Sequence, residues 1–234
     1  MENLPIFFRL RARPVLLVGA GEAAVAKIRL LLAAGADIRV VAPEGLDAFT
    51  DWNDAGQIQW SRRAFDPADV AGMTLVIGAT GGHGADEEVA AAARAAGIPV
   101  NIVDRPELSS FIVPSIVDRS PVTIGISTNG TSPVLARRLR EQIETLLPAN
   151  LGRLARFLNS FRSAVKAKFD SFDSRRRLWE EIVDGPIARD VLAGREPAAR
   201  DAMLSRINRR QNNAVAIGHV DIVGAGPGDP ELLT

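Results

Sequence analysis

Asp104 stands directly after the apolar run 98–103, inside a stretch, 101–140, that crowds hydroxyl, amide and guanidinium groups together. Ser109, Ser110, Ser115, Ser120, Ser127, Thr128, Asn129, Thr131 and Ser132 follow it, with Arg119, Arg137, Arg138 and Arg140 among them. A carboxylate at the carboxyl end of a buried strand lies where open α/β sheets place their ligands, and it can accept a proton from a C–H or N–H group held there. The run 128–133, Thr-Asn-Gly-Thr-Ser-Pro, opens a helix, with Thr131 or Ser132 as N-cap and Pro133 as first helical residue. Such a start presents backbone N–H groups to an anion, and Arg137 follows one turn later. The plainer alternative is that these residues build turns and caps, and that Asp104 pairs with Arg105 or caps the chain from Glu107 onward.

The second chemistry is dinucleotide binding. Gly19-x-Gly21-x-x-Ala24 follows the apolar run 14–18 and opens a helical pattern. There the first glycine permits a tight turn, the second lets a pyrophosphate approach the backbone, and the helix start, with Glu22, Ala23 and Ala24, stabilises its charge. Pro43 and Glu44 follow the second strand, and Glu44 is the nearest acid for an adenine ribose. Arg39 lies inside that strand rather than beyond it, so no clamp for a 2′-phosphate is evident and NAD is favoured over NADP. Thr80, in the run Gly78-Ala-Thr-Gly-Gly82, ends a further strand, where loops contact cofactor or simply turn.

Competing bases are scarce. Cysteine and tyrosine are absent, the two histidines, His83 and His219, are far apart, and no lysine lies near Asp104 in sequence. A metal cage of histidine or thiolate ligands is therefore not expected, and no metal-ligating residue is assigned.

The elements that must hold these groups alternate. Apolar runs at 14–18, 37–42, 75–79 and 98–103, a short strand near 58–61, and helical patterns over 23–34 and 86–96 are joined by short links. That order predicts an α/β fold, a Rossmann-like parallel sheet with right-handed crossovers. Beyond Pro114 the character changes: 120–127 alternates like a strand, a helix runs over 133–147, and 149–210 reads helical, with breaks at 185–186 and 194–197. Leu151, Leu154, Phe157, Leu158 and Phe161 form one apolar stripe, which needs a partner within the chain or in a second copy. The section looks too small to bury all its stripes internally, which favours a homodimer. A final apolar strand and glycine loop, 220–228, suggests a chain cut from a longer protein whose next domain begins near Val220.

Composition narrows the partners. Lys plus Arg and Asp plus Glu number 28 each, so no net charge draws the chain to nucleic acid or an anionic membrane. No basic leader or long apolar span is evident, and the lack of cysteine suits a reducing cytoplasm.

Together these segments resemble the N-terminal half of the siroheme synthase family and the stand-alone precorrin-2 dehydrogenase/sirohydrochlorin ferrochelatases. Leu4-Pro-Ile-Phe7 is similar to the family's opening, and Val15 to Gly21 with Ala26-Lys27 and Leu30 to Gly35 to its cofactor motif. Asn101-x-Val-Asp104, Ser110-Phe-Ile-Val-Pro114 and Gly130-Thr-Ser-Pro-x-Leu-Ala-Arg137 are more specific, and 223–234 is similar to the start of uroporphyrinogen-III C-methyltransferase.

The resemblance implies NAD-dependent oxidation of precorrin-2 to sirohydrochlorin, then insertion of ferrous iron, itself a substrate, to give siroheme. It makes Asp104 the proton acceptor, places Asn101 beside it, and assigns Ser127, Thr128, Thr131, Ser132 and Arg137 to the carboxylates of the tetrapyrrole. It implies a homodimer formed through the region after Pro114 and the helical section. The domains are then 1–113 (NAD-binding), 114–147 (a small α+β dimerisation and substrate region), 148–214 (helical) and 215–234 (start of the methyltransferase). In the full-length parent alone, S-adenosylmethionine would be bound, with Pro227 as a contact. Two departures from the family stand out: Gly81-Gly82 after Thr80, and Asn129 where a glycine is usual. The competing reading is an NAD-binding, redox-sensing regulator without catalysis, which leaves Asp104 and the Ser/Thr/Arg helix start without a purpose.

Overall fold

The computed structural model describes residues 2–209; the expected strand and glycine loop from Val220, Pro227 within it, and the last residues of the expected helical section lie outside them. Five strands, β1 (Pro14–Val18), β2 (Asp37–Val41), β3 (Gln59–Ser61), β4 (Leu75–Gly78) and β5 (Val100–Ile102), form one sheet in the order β3-β2-β1-β4-β5. Every neighbouring pair is parallel. This is the Rossmann-like arrangement expected from the alternating runs. The order reverses between β1 and β4, and a crevice opens there at the strands' carboxyl ends.

Apolar side chains alternate across the sheet and are covered on both sides. On one side Val15, Leu17, Ile38, Val40, Leu75 and Ile77 pack with Ala24, Ile28 and Leu31 of α1 (Glu22–Ala33) and Phe49 of α2 (Asp47–Asp54). On the other, Leu16, Val18, Val41, Val76, Val100 and Ile102 meet Val89, Ala90 and Ala93 of α3 (His83–Ala95). Continuous apolar strands read as they do because both faces are buried.

A hairpin follows, β6 (Ser115–Arg119) and β7 (Val122–Ile126), then α4 (Pro133–Leu146). The strand expected over 120–127 begins two residues later, because Ser120 and Pro121 occupy the turn of this hairpin. Five further helices complete the described chain: α5 (Leu151–Ser160), α6 (Arg162–Lys168), α7 (Phe172–Asp184), α8 (Pro186–Leu192) and α9 (Glu196–Arg209). The chain divides into two compact units, one holding residues up to Asp118 with Thr123–Leu147, the other Arg119–Val122 with the residues from Pro148 on.

In the second unit, Leu154, Phe157 and Phe161 are buried against Val165, Leu178, Ile182, Val191 and Met203. The apolar stripe on α5 thus finds its partner inside its own unit. α6 to α9 wrap around this stripe, while Phe172, Val183 and Leu204 of the same section stay exposed. The breaks at Gly185 and near Gly194 stand where expected, whereas those at Phe161 and Phe169–Ser171 come from aromatic residues that leave the helix line to enter this core.

Candidate cofactor and active site

The loop after β1 is built by two glycines with different duties. Gly19 has φ +106, and a Cβ on it would overlap Ala79 O and lie 2.6 Å from Ala79 C, so the loops after β1 and β4 touch only because it has none. Gly21 is the N-cap of α1, exposed, with open space where a side chain would point. No side chain caps this helix; Ala24 and Val25 turn their N–H groups to Gly21 O, leaving those of Glu22 and Ala23 at the mouth. That is a cradle for an anion: an open backbone and unpaired donors at the positive end of a twelve-residue helix. A dinucleotide pyrophosphate fits these residues.

The neighbouring loops close around it. Gly19 N donates to Val41 O at 2.9 Å, Ala79 N to Val18 O at 2.7 Å, and Leu46 N to Ala20 O at 3.0 Å. Exposed Pro43 and Glu44 therefore stand beside the Gly19–Gly21 loop, and Thr80 stands across the switch point from it. All the cofactor-contact candidates come to one sheet end. Arg62, just past β3, is the cation that linear reading did not place near β2. Its guanidinium lies 4.0 Å from the Trp60 ring centroid and donates to Thr50 Oγ1 at 3.0 Å.

Asp104 is one strand further along. Val103 N extends the ladder to Gly78 O at 2.8 Å, Arg105 N closes a turn onto Ile102 O at 3.2 Å, and between them Asp104 is exposed with φ +59. A left-handed aspartate at a strand end is uncommon, and such positions gather at functional sites. Neither plainer reading of Asp104 describes it. Arg105 turns to Glu107 and to Glu87 at 3.4 Å, and sets Nη1 2.7 Å from His83 Nδ1, tying the loop after β5 to the start of α3.

Lys27 is the group that sequence distance concealed. It lies on the α1 stripe that buries Ala24, Ile28 and Leu31, one turn into the helix from the cradle. Burial pushes its ammonium below the ordinary lysine range, and the negative charge of Asp104 works in the opposite direction, so the two groups feel each other across the crevice. A lysine on the inward stripe of an amphipathic helix was the available signal.

Asn101 and the serines after it serve the edge of the sheet. Asn101 is buried, its Nδ2 donates to Phe111 O at 3.0 Å, and its Oδ1 has no partner among the described residues. Ser110 Oγ accepts from Val100 N at 2.8 Å and Ser109 Oγ from Ile102 N at 2.9 Å. Two hydroxyls replace the missing strand beside β5.

The Ser127–Arg137 group is knit to itself. Ser132 is the N-cap of α4 and accepts from Leu135 N at 3.3 Å, with Pro133 first in the helix. Thr131 Oγ1 donates to Thr128 O at 2.5 Å, Thr128 Oγ1 accepts from Ser132 N at 3.3 Å, and Ser127 Oγ accepts from Asn129 N at 3.1 Å. Asn129 has φ +52, the left-handed backbone that a glycine would take without strain. Most donors at this helix start are already taken, leaving Val134 N–H and the exposed Arg137 guanidinium, whose Nε is 4.0 Å from Glu141.

Comparison with known proteins places these features. A family model for NAD(P)-binding matches residues 6–115, one for the sirohaem biosynthesis protein central region matches 119–146, and one for the sirohaem synthase dimerisation region matches 150–207. The whole chain is 49% identical to siroheme synthase of Methylobacillus flagellatus and 48% to that of Chromobacterium violaceum, covering 50% and 49% of them. The chain thus spans about half the length of the curated relatives it matches. A solved structure, SirC, precorrin-2 dehydrogenase, shares the fold with a TM-score of 0.69 at 23% identity, over 88% of this chain and 100% of that one. Sheet, cradle and matched regions agree: along its whole length the chain is similar to about half of the siroheme synthases it matches.

Proposed function

We propose that this chain oxidises precorrin-2 to sirohydrochlorin with NAD⁺ and then inserts ferrous iron to give siroheme. The observation that carries the reading is the convergence of the Gly19–Ala24 cradle, Thr80 and a left-handed Asp104 at one sheet end. Bound NAD⁺ supplies a hydride acceptor. Gly19, Gly21 and the N–H groups of Glu22 and Ala23 hold the pyrophosphate, Pro43 and Glu44 flank the adenosine, and Thr80 borders the nicotinamide side. Asp104 Oδ takes the proton that leaves the macrocycle as the hydride departs, so two electrons and one hydride nucleus pass to the cofactor and one proton to the carboxylate. The Lys27 ammonium places a positive charge at the same crevice. In metal insertion ferrous iron replaces two N–H protons of the macrocycle: the same carboxylate, once it has returned its first proton to solvent, takes one, and the other passes to water. Ser127, Thr128, Thr131, Ser132 and Arg137 meet the substrate carboxylates, with charge-assisted bonds from Arg137 the strongest, and Asn101 supports the floor beside Asp104.

Glu44 repels a 2′-phosphate, and Arg62 is held on Trp60 and Thr50, so NAD⁺ is the cofactor rather than NADP⁺. The chain works as a homodimer. Leu4, Ile6 and Phe7 are 74%, 68% and 75% exposed and Val134 and Leu146 of α4 are 60% and 79% exposed, apolar surface that a second copy covers. Anaerobic mixing of the purified protein with precorrin-2 and NAD⁺, followed by Fe²⁺, tests the reading. NADH with the sirohydrochlorin spectrum, and then the siroheme spectrum on adding iron, is expected. A folded protein that binds NAD⁺ and yields no NADH overturns it.

A further inference from the structure

Asp86 is one of three buried polar or charged side chains among the described residues, only 5% exposed, and it lies at the fourth position of α3 rather than at its cap. Its Oδ1 accepts from Thr80 Oγ1 at 2.7 Å and from Thr80 N at 3.3 Å. Thr80 Oγ1 also accepts from Gly82 N at 3.1 Å. A second acceptor, Gly82 O, stands 3.3 Å from the same hydroxyl, but one proton cannot serve both, and the shorter, charge-assisted bond to the carboxylate prevails. Gly78 lies beside this carboxylate: a Cβ there would overlap Ile102 Cδ1 at 2.5 Å and make ordinary contact with Asp86 Oδ1 at 3.7 Å. The carboxylate thus sits in the first turn of a helix, where the helix dipole favours an acidic side chain, with two donors aimed at it.

We propose that Asp86 is a positioning residue that fixes the Thr80 hydroxyl as a pure hydrogen-bond acceptor at the cofactor crevice, selecting an N–H or O–H donor of the dinucleotide. With its proton directed into the protein, the hydroxyl has only a lone pair for the ligand, and the donors available are the ribose hydroxyls and the carboxamide N–H₂. Without Asp86 the hydroxyl rotates freely, the Thr80 N–H loses its acceptor, and the loop onto α3 loosens. The inference rests on the reading of Thr80 as a cofactor contact.

Calorimetric titration of the full chain with NAD⁺ tests both, on the unaltered protein, Thr80→Val, Asp86→Ala, the double variant and Asp86→Asn, with thermal unfolding as the control for folding. Thr80→Val and Asp86→Ala should each weaken NAD⁺ by about tenfold, the scale of one hydrogen bond. The double variant should bind no more weakly than Thr80→Val alone, because the two act through one hydroxyl. Asp86→Asn keeps an acceptor oxygen and should stay within about threefold of the unaltered protein. If Asp86→Ala does not fold, Asp86→Leu, which fills the same volume, is read in its place. Affinity unchanged in Asp86→Ala but lost in Thr80→Val overturns the role of Asp86 and leaves the Thr80 contact standing. Affinity unchanged in Thr80→Val removes the contact and the inference together, and additive losses overturn the shared route.

Discussion

Gly19 and Gly21 are glycines for opposite reasons. At Gly19 the backbone is left-handed and Ala79 fills the place of a side chain; at Gly21 the backbone is extended and the place is open. Gly19→Ala should therefore destabilise the fold by about 2–4 kcal/mol, adding backbone strain to overlap. Gly21→Ala should fold as before and weaken NAD⁺ by about tenfold, since its methyl group enters the approach to the pyrophosphate. Chemical denaturation and calorimetry separate the two outcomes; equal loss of stability in both variants would contradict the assignment. Lys27 gives a second residue-scale prediction. Its folded pKa is depressed, so between that value and the ordinary lysine range the unfolded chain binds more protons, and stability from this group rises with pH. Lys27→Met should abolish that alkaline rise in denaturation curves, and Asp104→Asn should shift it to lower pH. Gly19, Gly21, Thr80 and Asp104 were legible in the sequence because each sits at the end of an apolar run. Lys27 and Asp86 were not, because what matters about them is which helix face turns inward and what lies across the crevice.

At the scale of elements, β5 illustrates how a cluster of polar side chains can be structural. It is an edge strand of three residues, and its outward N–H groups are taken by Ser109 and Ser110. Ser110→Ala leaves the fully buried Val100 without an acceptor for its N–H and should cost about 1–3 kcal/mol. Exposed Ser205→Ala on α9 should change stability by less than about 0.5 kcal/mol. Urea denaturation of the two variants checks this, and indistinguishable midpoints would show that the serine bonds are incidental. The buried strands were readable because both faces of a parallel sheet demand apolar residues. α2 was missed because its eight residues are mostly polar and only Phe49 is buried, too little for a period to show. The first turn of α3 was missed because it is drawn from a glycine-rich run; its start is fixed instead by Asp86 and Thr80 and by the pairing of His83 with Arg105. β6 was hidden because the turn at Ser120 and Pro121 reads as the opening of the next strand.

For the whole molecule, the helical unit contains its own core, and large apolar side chains stay exposed on the N-terminal segment, on α4 and, at Phe172, Val183 and Leu204, on the helical unit that matches a dimerisation region; under the proposed dimer a second copy covers such surface. Sedimentation equilibrium at micromolar concentration should give the mass of two chains, and Leu135→Glu, at a position 51% exposed, should shift the equilibrium to one. A single-chain mass for the unaltered protein would exclude the dimer. The central claim joins the cradle to Asp104, and one measurement addresses both: anaerobic single-turnover oxidation of precorrin-2 with NAD⁺, comparing the unaltered protein with Asp104→Asn while calorimetry reports NAD⁺ binding. The unaltered protein should release one NADH per sirohydrochlorin, and the isosteric variant should bind NAD⁺ equally well yet react about 10²–10⁴-fold more slowly, the usual worth of a general base. A folded Asp104→Asn protein that turns over within about threefold of the unaltered one would show that the carboxylate does not take the proton.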